Sequence, residues 1–409
     1  MSETRIYRTD PYVVSNEAEV IAVTEIDGRA AIACSQSVFF PEGGGQPSDI
    51  GTAACNGQVY DVIRAYDESL EDVVWHVVDA PADTFKIGDR LELAIDWDRR
   101  FINMQRHLGE HMLSGTFHTL WGGVNKGFHM GEDYITIDID LDGRMLTDEE
   151  LDLAEKTVNE AIWADLPVSI IYFDDYEASL AMPVRKQVPH EGRVSVVTVG
   201  DEKNPYDCIA CCGTHPSSSG QVGLLAIYKH EPNKGMNRIY FDCGSKALAK
   251  MKKDSCVLNE IATRNSCSSD TLAAKLEGDE ESNNALKAQL AGMSAYIKGV
   301  EMERILEAAK LDEAAVVVKE CGALRLDDVL KLGFAASEKL AGRLLIIMHP
   351  ESRTAMLFSS GEYKCGALVK ENVGKYNGKG GGRDDNARAV FLSEKDMRSF
   401  ARGIAEGID

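Results

Sequence analysis

Long hydrophobic runs are missing from this sequence. The strongest, residues 344–348, is far shorter than the roughly 20 residues that a membrane-spanning helix needs. The first five residues contain neither an apolar stretch nor a small-residue cleavage site, so we expect no secretory signal. Ten cysteines are scattered without the spacing of a small disulfide-bonded domain, which predicts reduced thiols and a cytoplasmic location.

Positive charge is also scarce. The chain has 44 Lys and Arg against 66 Asp and Glu, which gives a formal net charge of −22. A nonspecific binder of polyanions normally has a basic excess, so this balance argues against that class. It leaves room for a local basic path across one face, while the surrounding negative charge would repel the wrong nucleic acids.

The 409 residues predict two to three domains, at roughly 100–200 residues each. Residues 1–95 show short alternating apolar runs separated by turn residues, which predict β-strands. Residues 96–245 mix helix and strand patterns, residues 246–310 are typical of helices, and residues 311–409 alternate short buried strands with helices. The predicted fold class is therefore α+β, with an α/β domain at the C-terminal end.

Local spacing predicts individual elements of the middle region. Residues 98–119 predict a helix, and the isoleucines within residues 135–140 alternate as in a strand. Thr147 with Glu150 three residues later has the spacing of a capping box at the start of an acidic helix. Pro167 is expected to end that helix.

The predicted helical region contains a short apolar seam. Its residues are separated by 4, 3, 4 and 3 positions: Leu286, Leu290, Met293, Ile297 and Val300. A seam of about two heptads either packs on its own domain or forms a homodimer, and the sequence leaves both open. The polar residues 277–284 predict a turn between two helices.

Two short motifs offer metal ligands. His107 and His111 are four residues apart on a predicted helix, so both lie on one face and can bind one ion. Cys211 and His215 are also four apart, and Gly213 between them suits a tight turn. Either pair alone could arise by chance, but together they provide three imidazoles and a thiolate, which suit tetrahedral zinc rather than magnesium or calcium.

The same residues have other interpretations. Cys208 and Cys211 form a CxxC pair, which could be redox-active or part of a different zinc site, although the neighbouring prolines and Gly213 favour a loop. Glu110 stands beside the second histidine, so the pair is not a HExxH metalloprotease motif. It could polarise a water, support a ligand histidine, or be an ordinary surface carboxylate.

These motifs resemble the editing domain of alanyl-tRNA synthetases and their freestanding relatives, the alanyl-tRNA editing proteins. HxxxH followed by the CxGTH-type residues 211–215 matches the family signature, and residues 40–49 resemble its glycine-rich N-terminal motif. Residues 378–383 resemble the glycine motif of the C-terminal domain of alanyl-tRNA synthetase. Three positions depart from the synthetases: Glu110 replaces Thr, Asn125 stands near a frequent Gln, and Cys212 replaces Gly.

The resemblance implies an ATP-independent hydrolase that deacylates mischarged tRNA(Ala), foremost Ser-tRNA(Ala) and secondly Gly-tRNA(Ala). It implies an N-terminal β-barrel over residues 1–95, a zinc-containing editing domain over 96–245, a helical linker or dimerisation segment over 246–310 and a C-terminal α/β domain over 311–409. We expect no aminoacylation core, no ATP-binding phosphate loop, no Asp-His-His triplet of a phosphoesterase and no membrane partner.

The resemblance also implies roles for individual residues. Zinc would be bound by His107, His111, Cys211 and His215, and Glu110 is a candidate for orienting the attacking water. Binding of tRNA requires cations near the site or in the second glycine cluster, and the candidates are Arg99, Arg100, Arg106, Lys379 and Arg383, with Lys126, Arg185 and Lys186 as an extension.

Each of these cations has an ordinary alternative as a solvated charge, and the second glycine cluster has one as a structural turn. For the whole protein, the alternatives are a non-catalytic tRNA-binding accessory protein with a structural zinc, and a zinc hydrolase that acts on another ester or on a peptide.

Overall fold

The computed structural model describes residues 4–68, 73–186, 193–311 and 314–408. The chain forms two compact units, Met1–Glu260 and Ile261–Asp409. Both contain helices and strands, which confirms the predicted α+β class. The four-part division at residues 95, 245 and 310 stays a prediction. Among the described residues, no helix is both long and apolar enough to cross a membrane.

The first unit begins with a closed six-stranded barrel, as predicted. Its elements are β1 (Thr4–Arg5), α1 (Ile6–Thr9), β2 (Ser15–Ile26), β3 (Arg29–Cys34), β4 (Gln36–Ser37), β5 (Gly51–Cys55), β6 (Gln58–Glu68), β7 (Val73–Val78) and β8 (Arg90–Ile95). The strands follow the order β2-β3-β7-β6-β5-β8, and β1 pairs with β4 beside them. Along β3, Ile32 and Cys34 lie in the barrel core, whereas Ala31 and Ala33 pack with Trp75 on the other face, because successive side chains of a strand alternate.

The remainder of the first unit places one long helix against two sheets. The elements are α2 (Trp97–Trp121), β9 (Val124–Met130), β10 (Ile135–Asp140), α3 (Asp148–Trp163), β11 (Val168–Phe173), α4 (Tyr176–Ser179), β12 (Val194–Asp201), β13 (Asn204–Ala210), β14 (Leu225–Asn233) and β15 (Met236–Cys243), followed by α5 (Gly244–Arg264). The sheets have the orders β14-β15-β10-β9 and β11-β12-β13. Leu108, Met112 and Phe117 of α2 pack into a core shared with Ile137 and Phe241 of the first sheet.

Local signals explain where these elements begin and end. The Asp96 side chain accepts a hydrogen bond from the Arg99 amide and caps the start of α2, and Gly122, with φ of +70°, ends the helix. Thr147 and Glu150 form the predicted capping box of α3. The predicted strand over residues 135–140 is β10.

The second unit contains a five-stranded sheet with the order β16-β17-β18-β20-β19. Its elements, which follow the end of α5, are α6 (Leu272–Leu311), β16 (Val316–Glu320), α7 (Leu326–Lys339), β17 (Leu344–His349), β18 (Thr354–Phe358), α8 (Cys365–Asn372), β19 (Gly378–Gly382), β20 (Asn386–Phe391) and α9 (Glu394–Glu406). Along β17, Leu344 and Ile346 pack on one face with Phe400 of α9, whereas Leu345 packs on the other with Val329 of α7. The sheet is therefore buried on both faces.

One prediction and one alternative for this region are wrong. Residues 277–284 are not a turn, because α6 runs unbroken from Leu272 to Leu311, and the break lies before it, where Ser266 adopts a φ of +54°. The alternative of a structural turn in the second glycine cluster does not hold for Gly378–Gly382, which form the strand β19. Its glycines allow close pairing with β20, since a Cβ on Gly380 would lie 2.3 Å from the Arg388 carbonyl oxygen.

The apolar seam of α6 divides between core and solvent. Ile297 packs against the core of the second unit. Leu286, Leu290 and Met293 are each more than half exposed, at 58%, 65% and 62%. The alternative of a homodimer seam stays a prediction.

Candidate metal centre

The structure brings the four predicted ligands together. His107 and His111 project from one face of α2, and Cys211 and His215 come from the loop that follows β13. One potential ligand atom of each residue lies within 4.8 Å of the other three. Nε2 of His111 is 3.1 Å from Nε2 of His215, and Nε2 of His107 is 3.4 Å from Sγ of Cys211.

The loop turns tightly because of Gly213. Its amide donates a hydrogen bond to Sγ of Cys211 at 3.4 Å, so the thiolate is directed inward. A Cβ on this residue would lie 2.2 Å from Cε1 of His107, which leaves room only for glycine. The glycine therefore lets the loop approach the helix closely enough for the two ligand pairs to meet.

The donor set fits zinc. Tetrahedral zinc with ordinary Zn–N and Zn–S bonds holds its ligand atoms about 3.3–3.6 Å apart, close to the two separations above. The three imidazoles are almost fully buried, so water has little access to their ring nitrogens. A metal ion would satisfy the nitrogen lone pairs that otherwise face one another. Burial alone would raise the pKa of the Cys211 thiol, but the three neighbouring imidazoles lower it well below its usual range, which favours the thiolate that binds metal.

The first glycine-rich motif forms a turn over the centre. Gly44 and Gly45 have φ values of +58° and +81°, a region that suits glycine. A Cβ on Gly45 would lie 2.4 Å from Cδ1 of Phe128, so the turn also packs tightly against β9. Gln46 follows and hydrogen-bonds to His107, a role that its position after three glycines could have suggested but that sequence analysis missed.

A cleft of about 360 Å³ opens beside the ligands. Its cationic lining residues are Lys126, Arg185 and Lys186, and Phe128 and Ile209 add apolar surface. The same cleft exposes edges of His107, His111 and Cys211, with Glu110 and Asn125 beside them. It thus combines the candidate metal ligands, local positive charge and one carboxylate, in a chain that is strongly negative overall.

Glu110 is held firmly in that cleft. Its Oε1 accepts hydrogen bonds from Oγ of Ser114 at 2.6 Å and from Nδ2 of Asn125 at 2.8 Å, and its Oε2 lies 3.1 Å from Nδ1 of His111. Burial opposes ionisation, but hydrogen bonding and the charge of His111 outweigh it and lower the pKa of Glu110 to about 2. The carboxylate is therefore fixed in one orientation at the cleft.

Arg100 and Arg106 do not fit the predicted contacts with RNA. The Arg100 side chain is fully buried and forms an ion pair with the equally buried Asp49. Arg106 is 3% exposed and pairs with Asp242, with 2.8 Å between Nε and Oδ1. Both guanidinium groups are committed inside the fold, so this prediction is corrected to a structural role.

The other predicted residues do not line this cleft. Arg99 is half-buried, and its Nε donates to the Ser48 carbonyl at 3.2 Å. Lys379 and Arg383 are exposed in the second unit. Cys208 lies in β13 rather than in a loop, where its buried Sγ is 3.6 Å from Oγ1 of Thr198, and both it and Cys211 are free thiols.

Comparisons with known proteins agree with the motifs. The family described as the second additional domain of threonyl and alanyl tRNA synthetases matches residues 194–240. The alanyl-tRNA editing protein AlaX-L of Pyrococcus horikoshii is 28% identical, over 94% of this chain and 93% of its own length. The alanine–tRNA ligase of Methanobrevibacter smithii is 26% identical over 90% of this chain and 41% of the ligase, and that of Pyrococcus abyssi is 33% identical over 64% and 28%.

The chain thus spans nearly all of the editing protein but less than half of either ligase. Residues 194–240 are thus similar to the second additional domain of threonyl and alanyl tRNA synthetases, and the loop with Cys211 and His215 lies within this stretch. Over nearly its whole length the chain is similar to this alanyl-tRNA editing protein, which confirms the resemblance predicted from the motifs.

Proposed function

We propose that this protein is a deacylase that edits mischarged tRNA(Ala), by hydrolysing the ester between a wrong amino acid and the 3′ end of the tRNA. The observation that carries the proposal is the cluster of His107, His111, Cys211 and His215 at the wall of a cationic cleft. An aminoacyl ester is already activated, so its hydrolysis needs a positioned water and a stabilised oxyanion but no ATP. A cytoplasmic location goes with this function.

Zinc is the cofactor in this proposal, and when bound it would supply positive charge to polarise an ester or to organise the pocket. Lys126 and Lys186 at the cleft would attract the phosphates of the tRNA end. Glu110 would act as a fixed hydrogen-bond acceptor, either for a water or for the amino group of the substrate, because Ser114 and Asn125 hold its carboxylate in one orientation.

Serine is the proposed amino acid to be removed, with glycine second. The polar groups of Glu110 and Asn125 line the cleft, where a seryl hydroxyl would need hydrogen-bond partners. A site that must hydrogen-bond a hydroxyl can reject an analogue without it by about 10⁴–10⁵-fold. The correctly charged Ala-tRNA(Ala) would therefore survive, and Gly-tRNA(Ala), which also lacks the hydroxyl, would be hydrolysed far more slowly than Ser-tRNA(Ala).

The test compares hydrolysis of Ser-tRNA(Ala) and Ala-tRNA(Ala) by the zinc-loaded protein without ATP. We expect rapid release of serine and little release of alanine. Cys211→Ala should abolish the release, whereas Cys208→Ala, which removes a thiol from the preceding strand and not from the cluster, should retain it. If the wild-type protein binds tRNA(Ala) and zinc but releases no amino acid, the deacylase proposal fails in favour of a tRNA-binding accessory protein.

A further inference from the structure

Gln46 connects the barrel to both halves of the candidate metal centre. We propose that Gln46 is a positioning residue that fixes the tautomer and the orientation of His107 and thereby sets the affinity of the centre for its metal. This inference rests on the proposed function only in that both require the metal centre. Its test therefore measures metal binding and requires no tRNA.

Three hydrogen bonds hold the Gln46 amide. Its Oε1 accepts from Nδ1 of His107 at 2.7 Å and from the backbone amide of Thr214 at 3.1 Å. Its Nε2 donates to Oγ1 of Thr214 at 2.8 Å. The side chain is 2% exposed, so these bonds are shielded from water. One residue thus joins the helix ligand His107 to the loop that carries Cys211 and His215.

The direction of these bonds fixes the protonation of His107. A backbone N–H can only donate, so the atom that faces the Thr214 amide must be the amide oxygen of Gln46. That oxygen can only accept, so Nδ1 of His107 must carry the hydrogen. Nε2 is then left with its lone pair, and it is Nε2 that faces Sγ of Cys211 at 3.4 Å. This tautomer is the one that a metal in the cluster requires.

Of the three imidazoles, His107 has the best-defined hydrogen bond from Nδ1 to a supporting side chain within the described residues. Nδ1 of His111 and Nδ1 of His215 are buried without a hydrogen-bond partner there, although Nδ1 of His111 lies 3.1 Å from a Glu110 oxygen. Groups that hydrogen-bond a ligand histidine orient the ring and raise its basicity. Loss of Gln46 therefore removes the best-defined orienting contact of the centre.

The turn that carries Gln46 is itself fixed. The amide of Gly43 donates to the carbonyl of Gln46 at 3.1 Å, and the amide of Gln46 donates to the carbonyl of Gly43 at 2.9 Å. Just beyond the turn, Oδ2 of Asp49 accepts from the Phe40 amide at 2.7 Å, and Asp49 pairs with buried Arg100. The barrel therefore presents Gln46 in one place.

The experiment measures zinc affinity by competition with a chromophoric chelator, and the absorption spectrum of the Co²⁺-substituted protein. Gln46→Leu should lower the affinity about 10–100-fold, the usual loss when the hydrogen-bond partner of a metal ligand is removed, and should shift the Co²⁺ bands. Gln46→Glu keeps an acceptor for Nδ1 of His107, so it should bind zinc more tightly than Gln46→Leu does. Gln36→Leu, on the short strand β4 beside the barrel, removes a side chain that donates to the Glu17 carbonyl; it is the matched control and should bind zinc as wild type does.

Circular dichroism verifies that each variant is folded. A folded Gln46→Leu protein with wild-type zinc affinity and an unchanged Co²⁺ spectrum would overturn the inference, and so would equal losses in the Leu and Glu variants, since these would indicate a packing role. Failure of the wild-type protein to bind either metal would overturn the metal centre as well. Failure to hydrolyse Ser-tRNA(Ala) would count against the proposed reaction alone.

Discussion

Replacing Arg100 with Gln should destabilise the first unit without a specific loss of tRNA binding. Arg100 and Asp49 are both fully buried and form an ion pair. The Arg100 guanidinium also donates to the carbonyls of Pro11 and Val38, at 2.8 and 2.5 Å. The variant would therefore leave a buried carboxylate and two carbonyls without their partner.

The expected magnitude follows from that burial. Removing one partner of a buried ion pair costs about 3–5 kcal/mol, because the remaining charge is left uncompensated in a medium of low polarity. If the unfolding free energy of this unit falls by about 3 kcal/mol per molar urea, the unfolding midpoint should shift down by about 1–1.7 M. A surface arginine would shift it hardly at all.

Tryptophan fluorescence suits this measurement, since all four tryptophans lie in the first unit: Trp75, Trp97, Trp121 and Trp163. The matched control is Arg99→Gln on the same helical turn, which loses one hydrogen bond to Ser48 and should cost about 1 kcal/mol. Binding of uncharged tRNA(Ala) by the folded fraction completes the comparison. An unchanged urea midpoint together with a tenfold weaker tRNA affinity for Arg100→Gln would refute the structural role assigned to this residue.

Three further outcomes are expected. Gly213→Ala should weaken zinc binding, because its Cβ would displace His107, and overpacking of about 1–3 kcal/mol corresponds to a loss of about 5–150-fold in a zinc titration. Gly45→Ala, strained by its positive φ and its clash with β9, should lose stability in a thermal melt, whereas Gly43→Ala, which meets nothing within 4 Å, should not. Burial lowers the pKa of His76 to about 4 from 6.5, so as the pH falls this histidine is protonated in the unfolded chain before it is protonated in the folded one. Stability should therefore drop by about 3 kcal/mol more between pH 6.5 and 4 than in His76→Gln, as urea titrations would measure, and parallel curves would contradict the assignment.

The sequence predicted best where the signals are local. The capping box of α3 depends on two side chains three residues apart, and the ligand pairs on residues four apart, so short-range geometry is enough to place each of them. The assembly of the two pairs into one cluster was predicted from their combined donor set and from the family resemblance, because nothing in the spacing itself brings residues 107 and 211 together.

Predictions from charge failed where the partner is distant in sequence. Arg100 and Arg106 were candidates because they lie on the helix that carries His107 and His111, but their partners Asp49 and Asp242 are 51 and 136 residues away. The missed continuity of α6 has a different cause. Its polar residues 277–284 lie on a helix with little buried surface. A run of polar residues is compatible with such an exposed helix as well as with a turn.

The contacts that close the metal centre have a consequence for the order of folding. Gln46 and Thr214 are 168 residues apart, and the Arg106–Asp242 pair closes over 136. Contacts between such distant residues form late, because chain entropy must be lost before they stabilise anything. During synthesis, the barrel can therefore form well before the ribosome releases the loop with Cys211, and metal uptake becomes one of the last steps in the maturation of this unit.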